Sequence, residues 1–146
     1  MIQPIKRLGQ NFLQDPNTIR KIVESLHAEP SHRVVEIGPG TGALTGLLAQ
    51  KFADFVAIEI DDRAVEYLSG HLPSVRVIQG DILKINWSEI AEGASGGRIS
   101  VIGNLPYYIT SQILFGLLDA APCMQEAVIM MQHEVASRLV APPRTK

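Results

Sequence analysis

Apolar positions along this chain switch repeatedly between two periods. Ile19, Ile22, Val23 and Leu26 recur at helical spacing. Asp15 followed by Pro16 marks the start of that helix, with the aspartate at the N-cap and the proline at the first helical position. Short β-branched runs then read as strands ending in turns. Val34-Val35 leads into Glu36-Ile37-Gly38-Pro39-Gly40-Thr41-Gly42, and a second run, 54–60, closes on Glu59. Val75-Arg76-Val77-Ile78 stops at Gln79-Gly80-Asp81, and Ile99-Ser100-Val101-Ile102 runs into Gly103-Asn104-Leu105-Pro106-Tyr107-Tyr108. Between these runs, 43–52 has helical spacing, and Asp61-Asp62-Arg63 opens another helix whose positive end suits the two acids. Trp87 and the segment 92–97 read as a mobile, turn-rich connection. Ala127-Val128-Ile129-Met130-Met131 reads as a fifth strand left with an uncovered apolar edge.

Strand, glycine turn and helix make half of a nucleotide-binding βαβ unit. Glycine lets the turn adopt positive φ and lets a ligand lie against the backbone, and the helix behind it offers unpaired N–H groups. The turn alone leaves the nucleotide open, because Gly38-x-Gly40-x-x-Ala43 also fits the NAD fingerprint. Glu59 stands about 20 residues beyond the turn, where an acid can accept from both ribose hydroxyls. Asp81 can accept from an adenine amine, or equally cap the turn at Ile82-Leu83.

The segment at 103–108 is the most specific. The Asn104 amide both accepts and donates, Pro106 has no N–H and leaves a nearby carbonyl facing outward, and Tyr107 offers a face for a purine. Together they suit an exocyclic amine whose lone pair must point at an electrophile.

Composition narrows the partners. The 146 residues suffice for one domain, 46% of them are hydrophobic, and mean hydropathy is +0.13. No apolar run approaches a membrane span, so no membrane partner is expected. The single cysteine, Cys123, excludes an internal disulfide and offers no metal cluster. The N-terminus lacks a signal-peptide core, which reads as cytoplasmic with an organellar address left open. Net charge is −2, so nucleic-acid binding must rest on a local patch. The clearest basic cluster is Lys6, Arg7, Arg20 and Lys21, which a solvated surface also explains.

Gln10-Asn11-Phe12-Leu13, Glu36 to Gly42, Glu59, Gly80-Asp81 and Gly103 to Tyr107 together resemble the KsgA family, the small-subunit rRNA adenine N6,N6-dimethyltransferases. Gln132-His133-Glu134-Val135 is similar to that family's Gln-Lys-Glu-Val segment. The resemblance implies an α/β fold of the Rossmann-like class I S-adenosylmethionine-dependent methyltransferase type, a mostly parallel sheet with flanking helices. It implies one domain over residues 1–146, truncated at its C-terminal end, without its last strands and a small helical domain. It also implies roles. Asn11 and Leu13 close over S-adenosyl-L-methionine, Gly38 packs beneath its methionine part, Glu59 holds the ribose and Asp81 the adenine amine. Asn104 touches both cofactor and target amine, with Leu105 and Pro106 supplying backbone and Tyr107 the stack. The implied substrate is a pair of neighbouring adenosines near the 3′ end of small-subunit rRNA, met by a monomer on the immature subunit. Tyr108 stands where many members have asparagine, and His133 where lysine is common. On this reading the chain is a fragment that binds cofactor and methylates weakly.

Three rivals remain. A DNA adenine methyltransferase shares the Asn-Pro-Tyr logic but lacks a use for the Gln-Asn-Phe-Leu leader. An NAD-dependent oxidoreductase explains the glycine turn but neither Asp81 nor Asn104 to Tyr107. A non-enzymatic assembly or transcription factor would share the family's fold.

Overall fold

The computed structural model describes residues 15–105 and 107–131, with 107–110 and 131 followed by their backbone alone. Helix α1 (Pro16–Glu24) starts as its sequence dictates: the Asp15 carboxylate accepts from the Asn17 N–H and the Thr18 hydroxyl, each at 3.0 Å. Those two bonds hold the Asp15 carboxyl below its ordinary range.

Strands β1 (Arg33–Ile37), β2 (Phe55–Glu59), β3 (Arg76–Gln79), β4 (Ile99–Leu105) and β5 (Met124–Met131) form one sheet in the order β3-β2-β1-β4-β5, with every neighbouring pair parallel. Parallel pairing requires crossovers. Helices α2 (Thr45–Lys51), α3 (Asp62–His71), α4 (Trp87–Ala91) and α5 (Tyr107–Asp119) lie in them. The chain winds outward from β1 to β3, then returns to the far side of β1 for β4. Strand order therefore reverses between β1 and β4, and in such sheets the ligand crevice opens at the carboxyl ends beside that reversal.

The pleat sends alternate side chains to two cores. Val35, Ile37, Val56, Ile58, Val101 and Leu105 meet Trp87, Ala91, Ile113 and Leu117 from α4 and α5. On the other face Val34, Ala57 and Ile102 meet Val23, Leu26, Leu44, Leu48 and Phe52 from α1, α2 and their flanks. Burial on both faces accounts for the nearly unbroken apolar runs.

Three expectations change. Helix α2 begins at Thr45 rather than Ala43, because residues 40–44 are turn, with Gly40 at φ 57° and Gly42 at φ 88°. Strand β4 continues through Leu105, so Asn104 is a strand residue. Trp87 is no part of a mobile connection. It opens α4, is 7% exposed, and shares a core with Ala91 and Ala94. The turns at 92–97 are real, with Gly93, Gly96 and Gly97 all at positive φ. They are held from below by Arg33, whose guanidinium pairs with Asp54 at 3.0 Å and donates to the Ile90 and Glu92 carbonyls at 2.8 and 2.9 Å. Strand β5 is outermost, and among the described residues β4 is its one strand neighbour.

Candidate functional site

The glycine turn leaves β1 with Gly38 at φ 65°. A Cβ on Gly38 or Gly40 would meet no atom within 4 Å, so the space beside both is open to a ligand's close approach. Gly42 differs: a Cβ there would reach Leu68 and Leu72 at 3.2 Å, so this glycine serves the packing of α3. Gly38 N–H donates to the Ile58 carbonyl, and Gly80 N–H to the Glu59 carbonyl, each at 2.9 Å, which knits the turns after β1 and β3 to the end of β2.

Glu59 is the knot of this rim. Its Oε1 accepts from the Gly40 N–H at 3.2 Å, and its Oε2 from the Ile60 and Asp61 N–H groups at 3.1 Å. A carboxylate has about four lone-pair sites. Three are engaged by backbone, and the remaining capacity is on Oε1, narrower than acceptance from two hydroxyls on free oxygens. Asp61 caps α3 through the Arg63 N–H at 2.8 Å, which holds its carboxyl below the ordinary range. Asp81 is a cap as well: its Oδ1 accepts from the Leu83 N–H at 2.9 Å, the second of the two roles its sequence allowed. Among the described residues, that leaves Oδ2 for another donor.

Glu36 lies deeper. It is 2% exposed and its Oε1 accepts from the Thr45 hydroxyl at 2.6 Å, tying the end of β1 to the first residue of α2. Burial pushes its carboxyl up to about 8, offset by the Thr45 bond and reinforced by the charge of Glu59.

Asn104 is half-buried near the end of β4. Its neighbour Gly103 pairs with Ile37, and the pleat carries Asn104 to the face that holds Ile102, level with Glu36 and Ala57. By the same alternation Glu59 shares that face with Ala57. Gly38, Glu59, Asp81 and Asn104 thus come together along one rim, at or just past the ends of β1, β2, β3 and β4. Leu105, 2% exposed, puts its side chain in the opposite core, which leaves its backbone for any role at the rim. Tyr107 opens α5, and Tyr108 follows in the same helix. Asn11, Leu13, Pro106 and His133 lie outside the described residues.

Sequence reasoning left three participants without a role. Ile60 is 60% exposed between Glu59 and Asp61, an apolar surface on the rim whose signal was a hydrophobic residue continuing past its strand. Thr45 and Glu36 find each other only in three dimensions. A separate concavity of about 420 Å³, bordered by Leu83, Trp87, Gln112 and Asp119, is lined by none of the rim residues. Among the described residues no three His, Cys, Asp or Glu side chains group as metal ligands, and no helix is long and apolar enough to cross a membrane.

A parallel 3-2-1-4-5 sheet with an open glycine turn after β1 and an acid closing β2 defines a doubly wound, Rossmann-like fold, and its solved relatives make it the class I methyltransferase form. The 23S rRNA methyltransferase ErmE shares it, with a TM-score of 0.70 and 34% identity over 88% of this chain and 50% of its own. So does a dimethyladenosine transferase from Plasmodium falciparum, at TM-score 0.70 and 29% identity, covering 87% and 45% of the two chains. Residues 3–146 match the family described as ribosomal RNA adenine dimethylase, and the chain belongs to that family. It is 49% identical over 144 residues to the ribosomal RNA small subunit methyltransferase A of Salinibacter ruber, covering 99% of this chain and 48% of the relative. With the protein of that name from Prosthecochloris aestuarii it is 48% identical over 141 residues, or 97% and 53%. The chain spans about half the length of the curated relatives it matches.

Proposed function

We propose that this chain provides the S-adenosylmethionine-binding part of an enzyme that dimethylates the N6 amines of two adjacent adenosines near the 3′ end of small-subunit rRNA, during ribosome biogenesis. The observation that carries the reading is the half-buried Asn104, set one residue past the Gly103–Ile37 pairing and on the sheet face of Glu36 and Glu59. The names of its relatives, rRNA small subunit methyltransferases A, support the same substrate. The open space beside Gly38 and Gly40 and the carboxylates of Glu59 and Asp81 on the rim suit a nucleoside that brings its own N–H and O–H groups.

S-adenosylmethionine, when bound, supplies a methyl group already made electrophilic by its sulfonium. The chain's own residues then have to hold and align. Gly38 lets the backbone lie beneath the amino-acid part. Glu59 offers Oε1 to the ribose, Ile60 an apolar surface to the base, and Asp81 Oδ2 to the adenine amine. Asn11 and Leu13 would close over the cofactor, as the family resemblance implies. An aromatic amine is a poor nucleophile because its lone pair is delocalised into the ring. By accepting from that amine, the Asn104 side chain and the carbonyl of Leu105 or Pro106 draw the nitrogen towards tetrahedral geometry and stabilise the cation that develops on it. Tyr107 stacks on the splayed base, which a single-stranded loop can present. Positioning supplies most of the acceleration, and no general base is required.

The place of action is the cytoplasm, on the immature small subunit, with the enzyme a monomer. Tritiated-methyl transfer to immature small ribosomal subunits, compared with DNA, tests the reading. Label in adenines of the small-subunit rRNA is expected, and label in DNA instead contradicts it.

A further inference from the structure

Glu36 is a charged residue type in a place that solvates no charge. On the sheet it stands between Ala57 of β2 and Ile102 of β4, and the Thr45 hydroxyl is its hydrogen-bond partner. One neutral hydrogen bond does not offset the desolvation of a carboxylate. Across the same face β2 adds Glu59, a like charge, while β4 adds Asn104, which is neutral. Arg20, Lys21 and Glu24 of α1 and Lys51 at the far end of α2 are exposed, so among the described residues no cation faces Glu36. Glu59, by contrast, is half-buried and has three backbone N–H donors. The two acids share one rim but not one environment. A cation seated beside the open turn that begins at Gly38, two residues on, supplies Glu36 with the counter-charge it lacks among the described residues.

We propose that Glu36 discriminates by charge between the methyl donor and its demethylated product. It holds a proton in the ligand-free protein and beside the neutral thioether, and gives that proton to solvent when the sulfonium is bound. The inference rests on the cofactor reading above and adds to it a reason for product to leave. Transfer of the methyl group removes the sulfonium charge, the buried carboxylate loses its counter-charge, and it takes a proton back. Burial pushes the Glu36 carboxyl up to about 8, so the proton is there to release near neutral pH. By linkage, raising the pH removes the cost of deprotonation and strengthens binding of the cation relative to the thioether.

Calorimetric titration of the full chain with S-adenosylmethionine and with S-adenosylhomocysteine, from about pH 6.5 to about pH 8.5 in buffers of different ionisation enthalpy, reads this directly. The wild type is expected to release protons on binding the sulfonium alone, with the ratio of the two affinities rising by about tenfold across the range. In E36Q the release disappears and the ratio stays flat. The ligands' own amino groups titrate alike against both proteins, so the difference between them isolates this side chain. A flat ratio in the wild type, or an unchanged slope in E36Q, overturns the inference and leaves the cofactor reading intact. Failure of either compound to bind the wild type overturns both. Infrared spectroscopy gives a readout that needs no binding variant: the carbonyl stretch of a protonated buried carboxyl is expected in the ligand-free protein and missing in E36Q. Its absence from the wild type also overturns the inference.

Discussion

Gly103 of β4 lies opposite Ile37 of β1 so closely that a Cβ on Gly103 would come within 3.0 Å of the Ile37 carbonyl oxygen and 3.1 Å of its Cβ. The missing side chain is what lets the two central strands run side by side to their carboxyl ends. It thereby brings Asn104 up to the strand end from which the glycine turn departs. Here the obstacle is backbone in the middle of a sheet, which has little room to yield. Gly103→Ala is therefore expected to lower unfolding free energy by about 1–3 kcal/mol, measured by urea denaturation, through overpacking. Unchanged stability would mean that the strands part easily at this point.

Glu59 joins three backbone N–H groups of two different turns. Truncating it leaves those donors to find other partners, at about 1–3 kcal/mol for each one left buried and unpaired. Glu59→Ala is expected to weaken S-adenosylmethionine binding at least about tenfold and to lower the melting temperature, both measurable on the same preparation. Wild-type affinity in a correctly folded variant would remove Glu59 from the site.

In the proposed function Asn104 acts at the step in which the amine changes geometry, so its loss belongs to the rate. Asn104→Ala is expected to reduce kcat by about 100-fold or more, the usual cost of an oriented hydrogen-bonding group, while the Kd for cofactor moves little. Equal losses in rate and in cofactor affinity would count against that role.

The buried carboxyl of Glu36 also sets a pH dependence of stability. Its folded value, about 8, lies above the ordinary 4.5, so between those two pH values the folded state binds more protons than the unfolded one. Stability from this group is present at low pH and is lost as pH rises through that window, with a slope of at most about 1.4 kcal/mol per pH unit. Urea midpoints measured across the window are expected to fall more steeply with pH in the wild type than in Glu36→Gln. Parallel curves would contradict this.

At the opposite end of the sheet, Arg33 links Asp54 with the carbonyls that end α4. Arg33→Met keeps most of the side chain's volume but leaves those acceptors unpaired. A loss of about 2–4 kcal/mol in unfolding free energy is expected, with cofactor affinity unchanged, because none of the rim residues contacts it. A change in affinity would show that the two ends are coupled.

What could be read from the chain alone was whatever its neighbours in sequence decide. The caps at Asp15 and Asp61 are local hydrogen bonds, and both stand where their residue types put them. The glycine turn, the acid at the end of β2 and the five strands were likewise legible, because apolar runs and glycines are local signals. The apolar run that marks β4 stops at Ile102, and only pairing with β5 carries the strand on through Asn104 to Leu105. Trp87 reads as part of a turn-rich connection for the same kind of reason. Its flanks are rich in turn formers, and only the distant Arg33 guanidinium and the core beneath it make the segment part of the fold. The Thr45–Glu36 bond and the Gly103–Ile37 approach join residues whose separations carry no periodic signature.

On the proposed function, the ends of the first four strands form a site for S-adenosylmethionine. Calorimetric titration of the chain with S-adenosylmethionine and, separately, with NAD decides this. Saturable binding of the first at about one site per chain, and none of the second, is the predicted result. Binding of NAD, or no heat with S-adenosylmethionine from a folded chain, would contradict it.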